Sequence, residues 1–446
     1  ILTGALERNG VLTRKARDKL LRSMVDEVAS HVLAHNYDQT LALSLLEMDS
    51  AGELEPHARF MARLESEGRL DRSVEGLPDA KVIAERAQAG VGLSRPELAV
   101  LLAYGKLELS AEVVESSAIE EPFFESLLEA YFPKPLRKYA DAIRRHRLRR
   151  EIIATVVAND AVNRCGPSFP TRLMTAAACD VRAFVTGYEA AKAVLGLPKF
   201  WTAVAELDGK VPARAQMLLF RRLTAALRGE TFWLARRASR TGATVSSLVA
   251  RYGPARKILA PLTPAILSDT ERAGVEAAAA ALVEAGAPTD LAMAAAALQS
   301  MTVTSDLVDL AEGSSWGLAE VARLYHATGS AFAFDRLRAA VGAYRAGDHF
   351  ERTAVRRLVE DLLAEQSALT KAVMEFAGDA QAGENADAAR AAVASWAALR
   401  RDAAEAARRT VDEIESAGGG WSFAKLTIAN AALRELASAP AKGRRR

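Results

Sequence analysis

The sequence predicts an all-α protein, a layered assembly of many helices with no parallel sheet. Three observations predict it. Half of the residues are hydrophobic but only 6% are aromatic, and Ala and Leu dominate the apolar half. Those two residues lose least on entering a helix, while the β-branched and aromatic side chains that suit strands are scarce. Apolar positions recur at three- and four-residue spacing in one segment after another, with no alternating strand pattern between them. Gly and Pro punctuate the chain between these segments. At 446 residues the chain can form two to four domains with a large core. No fixed-period repeat marks it as a solenoid.

From the N-terminus, Thr13 opens a helix with Leu20, Leu21, Met24, Val28 and Val32 on one face, running out near His35–Asn36. Pro56 begins another, and Gly68 to Pro78 reads as a loop. Ser94 and Glu97 form a capping box with Pro96 in the first turn, so a helix begins at Ser94. It carries Leu98, Leu101 and Leu102, and Tyr104-Gly105 ends its apolar stripe. Pro122, Pro133 and Pro135 break the next region. A long helix is expected from Leu136 to about Asn163 with Ile143, Ile152, Ile153, Val156 and Val157, stopping at Cys165-Gly166-Pro167. Thr171 is expected to cap its successor, and Gly196–Pro198, Gly209–Pro212 and Pro261–Pro264 punctuate the helices after it. Ser268 with Glu271 forms a second capping box, and Gly286–Pro288 separates two Ala-rich helices. From Arg352 a helix of about 25 residues carries Val355, Leu358, Val359, Leu362, Leu363 and Leu369. A longer Ala/Arg/Glu segment runs from Asp387 to about Ser416, and Gly418–Gly420 is the clearest hinge.

Most sequence patterns with chemical associations dissolve in their context. Gly90-Val91-Gly92 begins like a dinucleotide loop, but Arg95 occupies the third Gly position and the preceding Lys81–Gln88 reads as helix instead of strand. Gly313–Gly317 spells a nucleophile elbow, yet helical segments flank it, so Ser314 or Ser315 is expected to cap the next helix. His31 and His35 have metal-ligand spacing, but no Glu lies between them and no third ligand is apparent. No metal site is expected. Cys165 and Cys179 make neither a disulfide framework nor a metal quartet, which fits a reducing cytoplasm. There is no secretory segment, and the Ala277–Val283 tract falls far short of the roughly 20 residues that span a membrane.

Charge is concentrated in one place. The chain as a whole is nearly neutral, with 58 Lys and Arg against 56 Asp and Glu, so no global field recruits nucleic acid or a membrane. Between Lys134 and Arg150, however, stand Lys134, Arg137, Lys138, Arg144, Arg145, Arg147, Arg149 and Arg150 against Asp141 alone. Such a run is either a solvated face whose arginines pair with acidic loops such as Glu120-Glu121, or a set of guanidinium forks at an interdomain or subunit contact or an anionic ligand. Nucleic acid is disfavoured because no Phe, Tyr or Trp is interleaved among the arginines from Arg144 to Arg150. Arg144, Arg145, Arg147, Arg149 and Arg150 are the candidate interface residues.

Four segments carry a family resemblance: Gly92–Leu107 (GLSRPELAVLLAYGKL), Asn36–Glu47 (NYDQTLALSLLE), His146–Thr155 (HRLRREIIAT) and His349–Leu362 (HFERTAVRRLVEDL). Together they resemble the C-terminal region of the large bacterial NAD-specific glutamate dehydrogenases, over nearly the whole chain and most closely before about Arg172. The segment from about Gly187 to Gly347 departs most. Those enzymes are several times longer, and a chain opening on Ile1 instead of Met is expected to be a piece of one. The resemblance implies oxidative deamination of L-glutamate to 2-oxoglutarate and ammonium, with NAD and the catalytic residues held in a domain absent from this chain. No catalytic or cofactor-binding residue is therefore assigned here, and the chain alone is expected to be inactive. The implied partners are its own catalytic domain and other subunits of a cytoplasmic homo-oligomer. The expected division is 1–48 as an extension bracing the catalytic domain, 49–265 as a helical domain and 266–446 as an Ala-rich bundle. The alternative is a non-enzymatic helical scaffold or adaptor.

Overall fold

The computed structural model describes residues 1–298, 303–347 and 349–439. Among them every regular element is an α-helix or a short 3-10 turn, and there is no strand. The chain divides into two compact units. One comprises Ile1–Asp208 and Gln216–Ala250, the other Gly209–Ala215 with the described residues of Arg251–Arg446. Leu2–Met48 lies in the first unit, and the second unit takes up again at Arg251.

In the first unit the Arg95–Glu115 helix starts where its capping box dictates, with the Ser94 amide donating to Glu97 at 2.7 Å. Its apolar stripe does not end at Tyr104-Gly105, since buried Leu109 and Val113 continue it. Gly105 serves a different purpose. A Cβ there would stand 2.8 Å from Pro167 Cα, so its missing side chain admits the turn after Cys165. The Arg149–Cys165 helix packs along this helix with Ala154, Ala158 and Ala161 buried between larger Ile153, Val157 and Val162. Gly187 makes a second close approach, where a Cβ would lie 2.4 Å from the backbone nitrogen of Ala235.

Three expected helices break or move for local reasons. Thr13 does cap Arg14–Arg22, accepting from the Ala16 amide at 3.2 Å, but Ser23 Oγ then donates to the Leu20 carbonyl and the chain bends. A hydroxyl bonded back to the preceding turn competes with helix continuation. A separate helix, Val25–Met48, runs well past Asn36. The expected Leu136–Asn163 helix is three: Lys134–Arg137, Ala140–Arg144 and Arg149–Cys165. Between the last two, the Leu148 amide donates to His146 Nδ1, so a side chain takes a donor that a continuous helix would use. Thr171 is not a cap; it lies inside Phe169–Ala177, whose cap position is Ser168, and its hydroxyl meets Arg63. The Gly68–Pro78 loop holds a one-turn helix, Arg72–Glu75, capped by Asp71.

The second unit keeps the Ser268–Glu271 box at the start of Asp269–Glu284. Its core gathers Tyr325, Phe332, Phe334, Val373, Trp396 and Leu433 from several of its helices. The expected Asp387–Ser416 helix divides into Ala386–Ala398 and Arg401–Ser416, because Arg400 turns to lay its guanidinium 4.3 Å from the centre of the Trp396 ring and donates to the Ala439 carbonyl. Gly418, Gly419 and Gly420 all adopt left-handed φ, a run that other residues would strain to follow. Gly313–Gly317 links two helices as expected, but neither serine caps the second. Gly317 holds that position, and Ser314 bonds to Ala311 and Trp316.

The two kinds of helical glycine are separable by substitution. Gly187→Ala forces a methyl onto the Ala235 backbone and should destabilise the protein by about 1–3 kcal/mol. Gly229→Ala meets open space within the Ala213–Thr241 helix and should stabilise by roughly 0.5–1 kcal/mol. Urea denaturation of both variants checks the opposite signs; equal shifts would show that the close approach carries no constraint.

Candidate functional site

The N-terminal helices leave an apolar face uncovered. Met24 is buried at the bend, but the apolar positions that succeed it are not. Val25 is 61% exposed, Val28 46%, Val32 53% and Leu33 68%. The Val25–Met48 helix buries only Ala42 and Leu46, near its C-terminal end, and these four large apolar residues nearer its start face solvent.

The basic cluster is more fully used inside the unit than its sequence suggests. Arg149 pairs with Glu120 at 2.8 Å and donates to the Ile119 carbonyl. Arg150 also pairs with Glu120, and it donates to the carbonyls of Val114 and Ser116 at the end of the Arg95–Glu115 helix. These two close exposed helix ends, as cations near a helix C-terminus do. Arg144 lies 3.1 Å from Asp141 and farther from Glu129 and Glu125. Arg145 and Arg147 are exposed and have no ion pair among the described residues. The five arginines sit on two helices and the link between them, so they form no single rigid fork.

Buried charge that the sequence did not reveal lies on neighbouring helices of the same unit. Lys192 Nζ contacts Asp160 at 2.7 Å and Glu189 at 2.8 Å, and Tyr188 donates to Asp160 at 2.9 Å. Burial works against the Lys192 cation, but the two carboxylates prevail and hold its pKa above the usual lysine range. A lysine nucleophile or base needs the opposite shift. This triad is structural, and truncating Lys192 would leave the buried Glu189 and the part-exposed Asp160 without their cation, which is destabilising. Burial also pushes the thiols up, Cys165 to about 12 and Cys179 to about 11, so neither is an activated nucleophile.

A second network joins Glu53 to Arg228 at 3.0 Å and Arg172 at 2.6 Å. Burial alone would raise the Glu53 carboxyl, but the two guanidiniums hold it at about 2. One helical turn on, His57 is almost wholly buried, and burial lowers it to about 4 against the pull of Glu53. No local pattern announces either network, because each draws its members from distant segments. In the second unit Glu271 does more than cap. It accepts from His326 Nδ1 at 2.7 Å and from Arg338 at 2.7 Å, and these contacts overcome its burial to hold it at about 2.

The glycine pair does not make a cofactor site. Gly90 is the left-handed end of the Ala80–Ala89 helix, and a Cβ on Gly92 would collide with the backbone of Ser50. That pair therefore packs two segments together and has no strand before it, so it does not fit a dinucleotide phosphate. Among the described residues no group of three or more His, Cys, Asp or Glu could hold a metal. No described helix is long and apolar enough to cross a membrane.

The geometry thus defines a helical region with four large apolar side chains exposed on one N-terminal helix and several interhelical charge networks. A family model described as glutamate dehydrogenase, C-terminal, matches residues 90–435, and one described as bacterial NAD-glutamate dehydrogenase, catalytic domain, matches residues 1–46. The chain belongs to the glutamate dehydrogenase C-terminal family. It is 31% identical to an NAD-specific glutamate dehydrogenase of Pseudomonas aeruginosa over 99% of its length and 27% of that protein's. It is 31% identical to the one from Halomonas elongata and 30% identical to the one from Mycobacterium tuberculosis, at similar coverage. The chain therefore spans about a quarter, 27%, of the length of these curated relatives.

The depressed pKa values fix an acid response. Between pH 6.5 and about 4 the unfolded chain takes up a proton at His57 that the folded chain refuses. His57 therefore contributes stability that is complete above pH 6.5 and lost as pH falls through about 4, on the order of 3 kcal/mol. Glu53 adds a second loss between pH 4.5 and about 2. Urea midpoints measured across this range should fall in both windows, and His57→Leu should flatten only the upper one; an unchanged upper window would refute the assignment.

Proposed function

We propose that this chain is the helical C-terminal part of an NAD-specific glutamate dehydrogenase, which oxidises L-glutamate to 2-oxoglutarate and ammonium while reducing NAD. The single observation that supports it best is the coincidence of two boundaries. The catalytic-domain match covers residues 1–46, and the uncovered apolar face lies within that stretch. On this reading Val25, Val28, Val32 and Leu33 dock against the catalytic portion, which supplies NAD binding and the catalytic residues. The chain alone is inactive, and its place is the cytoplasm.

The docking reading is tested in the full-length enzyme. Val28→Asp with Leu33→Asp should lower glutamate-dependent NADH formation about tenfold or more, because an unpaired carboxylate in an apolar contact is costly. The same pair in the 446-residue chain should leave its thermal midpoint nearly unchanged, since both positions are exposed there. Full activity of the double variant would sink the docking reading, and NADH formation by the 446-residue chain would sink the assignment of catalysis elsewhere.

Assembly into a homo-oligomer is a further part of the proposal, and Arg145 and Arg147 are its strongest candidates within the basic cluster. Their fellows Arg149 and Arg150 are committed to Glu120 and to helix-end carbonyls. Arg145→Ala with Arg147→Ala should reduce the oligomer mass seen by light scattering while NAD binding stays as it was. Unaltered mass would leave these two as solvated charges.

A further inference from the structure

A cleft of about 340 Å³ opens in the second unit between the start of Asp269–Glu284 and the helices Leu318–Ala331, Ala386–Ala398 and Arg401–Ser416. Four guanidiniums line it, those of Arg272, Arg323, Arg390 and Arg408, together with His326. We propose that this cleft binds a small multivalent anion, a molecule bearing two or more phosphate or carboxylate groups.

The arginines are held for such a task. Arg408 donates its Nε to the Ala331 carbonyl at 2.9 Å, which leaves both terminal nitrogens of its fork available. It also stacks near the Phe332 ring, with 5.2 Å to the centroid. Arg323 is fixed by one terminal nitrogen on the Gly383 carbonyl at 3.0 Å. Both are half-buried, and neither has an ion pair among the described residues. A guanidinium tied only to a backbone carbonyl keeps its full charge, so two of them in one cleft repel each other unless an anion joins them. Arg272 is likewise anchored on the Leu267 carbonyl at 3.2 Å.

His326 supplies an independent sign. Its side chain is only 4% exposed, yet it lines the cleft. Because a carboxylate only accepts, Nδ1 must donate to Glu271, and Nε2 has no partner among the described residues. Nearby acids offset the charge only in part. Glu271 is engaged by His326 and Arg338, while Arg390 pairs with Asp387 and Arg272 lies 3.9 Å from Asp269, both of these acids standing in solvent where such pairs are weak; Arg323 and Arg408 keep no acidic partner among the described residues. The cleft's volume is at the small end of ligand sites and suits a molecule the size of a tricarboxylate or pyrophosphate. Every residue named lies in the second unit, so the site is complete without the catalytic portion and independent of the dehydrogenase reading.

Isothermal titration of the 446-residue chain in phosphate-free, low-salt buffer tests this with two probes, pyrophosphate and tricarballylate. At least one should bind saturably with one-to-one stoichiometry, and the stronger of the two identifies the anionic group preferred. Arg323→Gln with Arg408→Gln should weaken that binding about tenfold or more, the loss expected from removing charge-assisted contacts. Because Arg323 and Arg408 each also anchor a carbonyl, Arg390→Gln is the second variant, and circular dichroism reports whether each folds. Arg145→Gln with Arg147→Gln removes the same charge from an exposed site elsewhere and should leave binding intact. Absence of saturable binding by both probes, wild-type affinity in a folded cleft variant, or an equal loss in the Arg145/Arg147 control would overturn the proposal.

Discussion

The close seating of the Pro167 turn against Gly105 is the contact on which the first unit depends. It sets the depth at which the Arg149–Cys165 helix lies on Arg95–Glu115, with Ala154, Ala158 and Ala161 buried along the helix. That depth in turn brings Arg149 and Arg150 over the carbonyls of Val114, Ser116 and Ile119, closing a helix end that would otherwise be unsatisfied. At the far end of the same helix Asp160 reaches Lys192 and Tyr188. One missing side chain thus governs a packed seam, a capped terminus and a buried ionic triad.

A chain rich in Ala and poor in aromatics fills space in this way by necessity. Small residues let helix backbones approach, but they supply less apolar area per residue than large ones. The described residues compensate with charge networks between helices: Lys192 with Asp160 and Glu189, Glu53 with Arg228 and Arg172, Glu271 with His326 and Arg338. Buried pairs of this sort are weak evidence for net stability, because desolvation offsets much of their attraction. Their effect is on which arrangement is tolerated, since a shifted helix would strand a charge.

The range of each interaction decides how much of the molecule is legible in its sequence. Helix class and both Ser–Glu capping boxes are readable, because a cap lies within four residues of the group it satisfies. Helix breaks at Ser23, His146 and Arg400 are not, since each depends on where a side chain goes once its neighbours are packed. Tyr104-Gly105 reads wrongly as an end because glycine in a helix signals either a stop or a close approach, and only the position of Pro167 decides between them. The basic run is visible as charge, yet its division into Arg149 and Arg150 as caps and Arg145 and Arg147 as groups without an ion pair needs the fold. The cationic cleft leaves no trace in the sequence. Its arginines come from four helices spread between positions 272 and 408, and each looks like an ordinary surface residue in its own segment.

The N-terminal helix shows why an exposed face is more than an incidental feature. Isolated apolar residues on a protein surface are commonplace, so a single exposed Val28 would mean little. Val25, Val28, Val32 and Leu33 differ because they share one helix of 24 residues. Fully burying a side chain of this size contributes roughly 1.5–3 kcal/mol relative to leaving it in water. Four left about half exposed forgo a substantial fraction of the stability of a typical domain. On the proposed reading, that stripe is matched to the catalytic portion of the enzyme. The catalytic-domain match over residues 1–46 covers the same stretch, and if the proposed docking holds, the apolar character of the stripe sets its chemistry: a contact in which an introduced charge is costly.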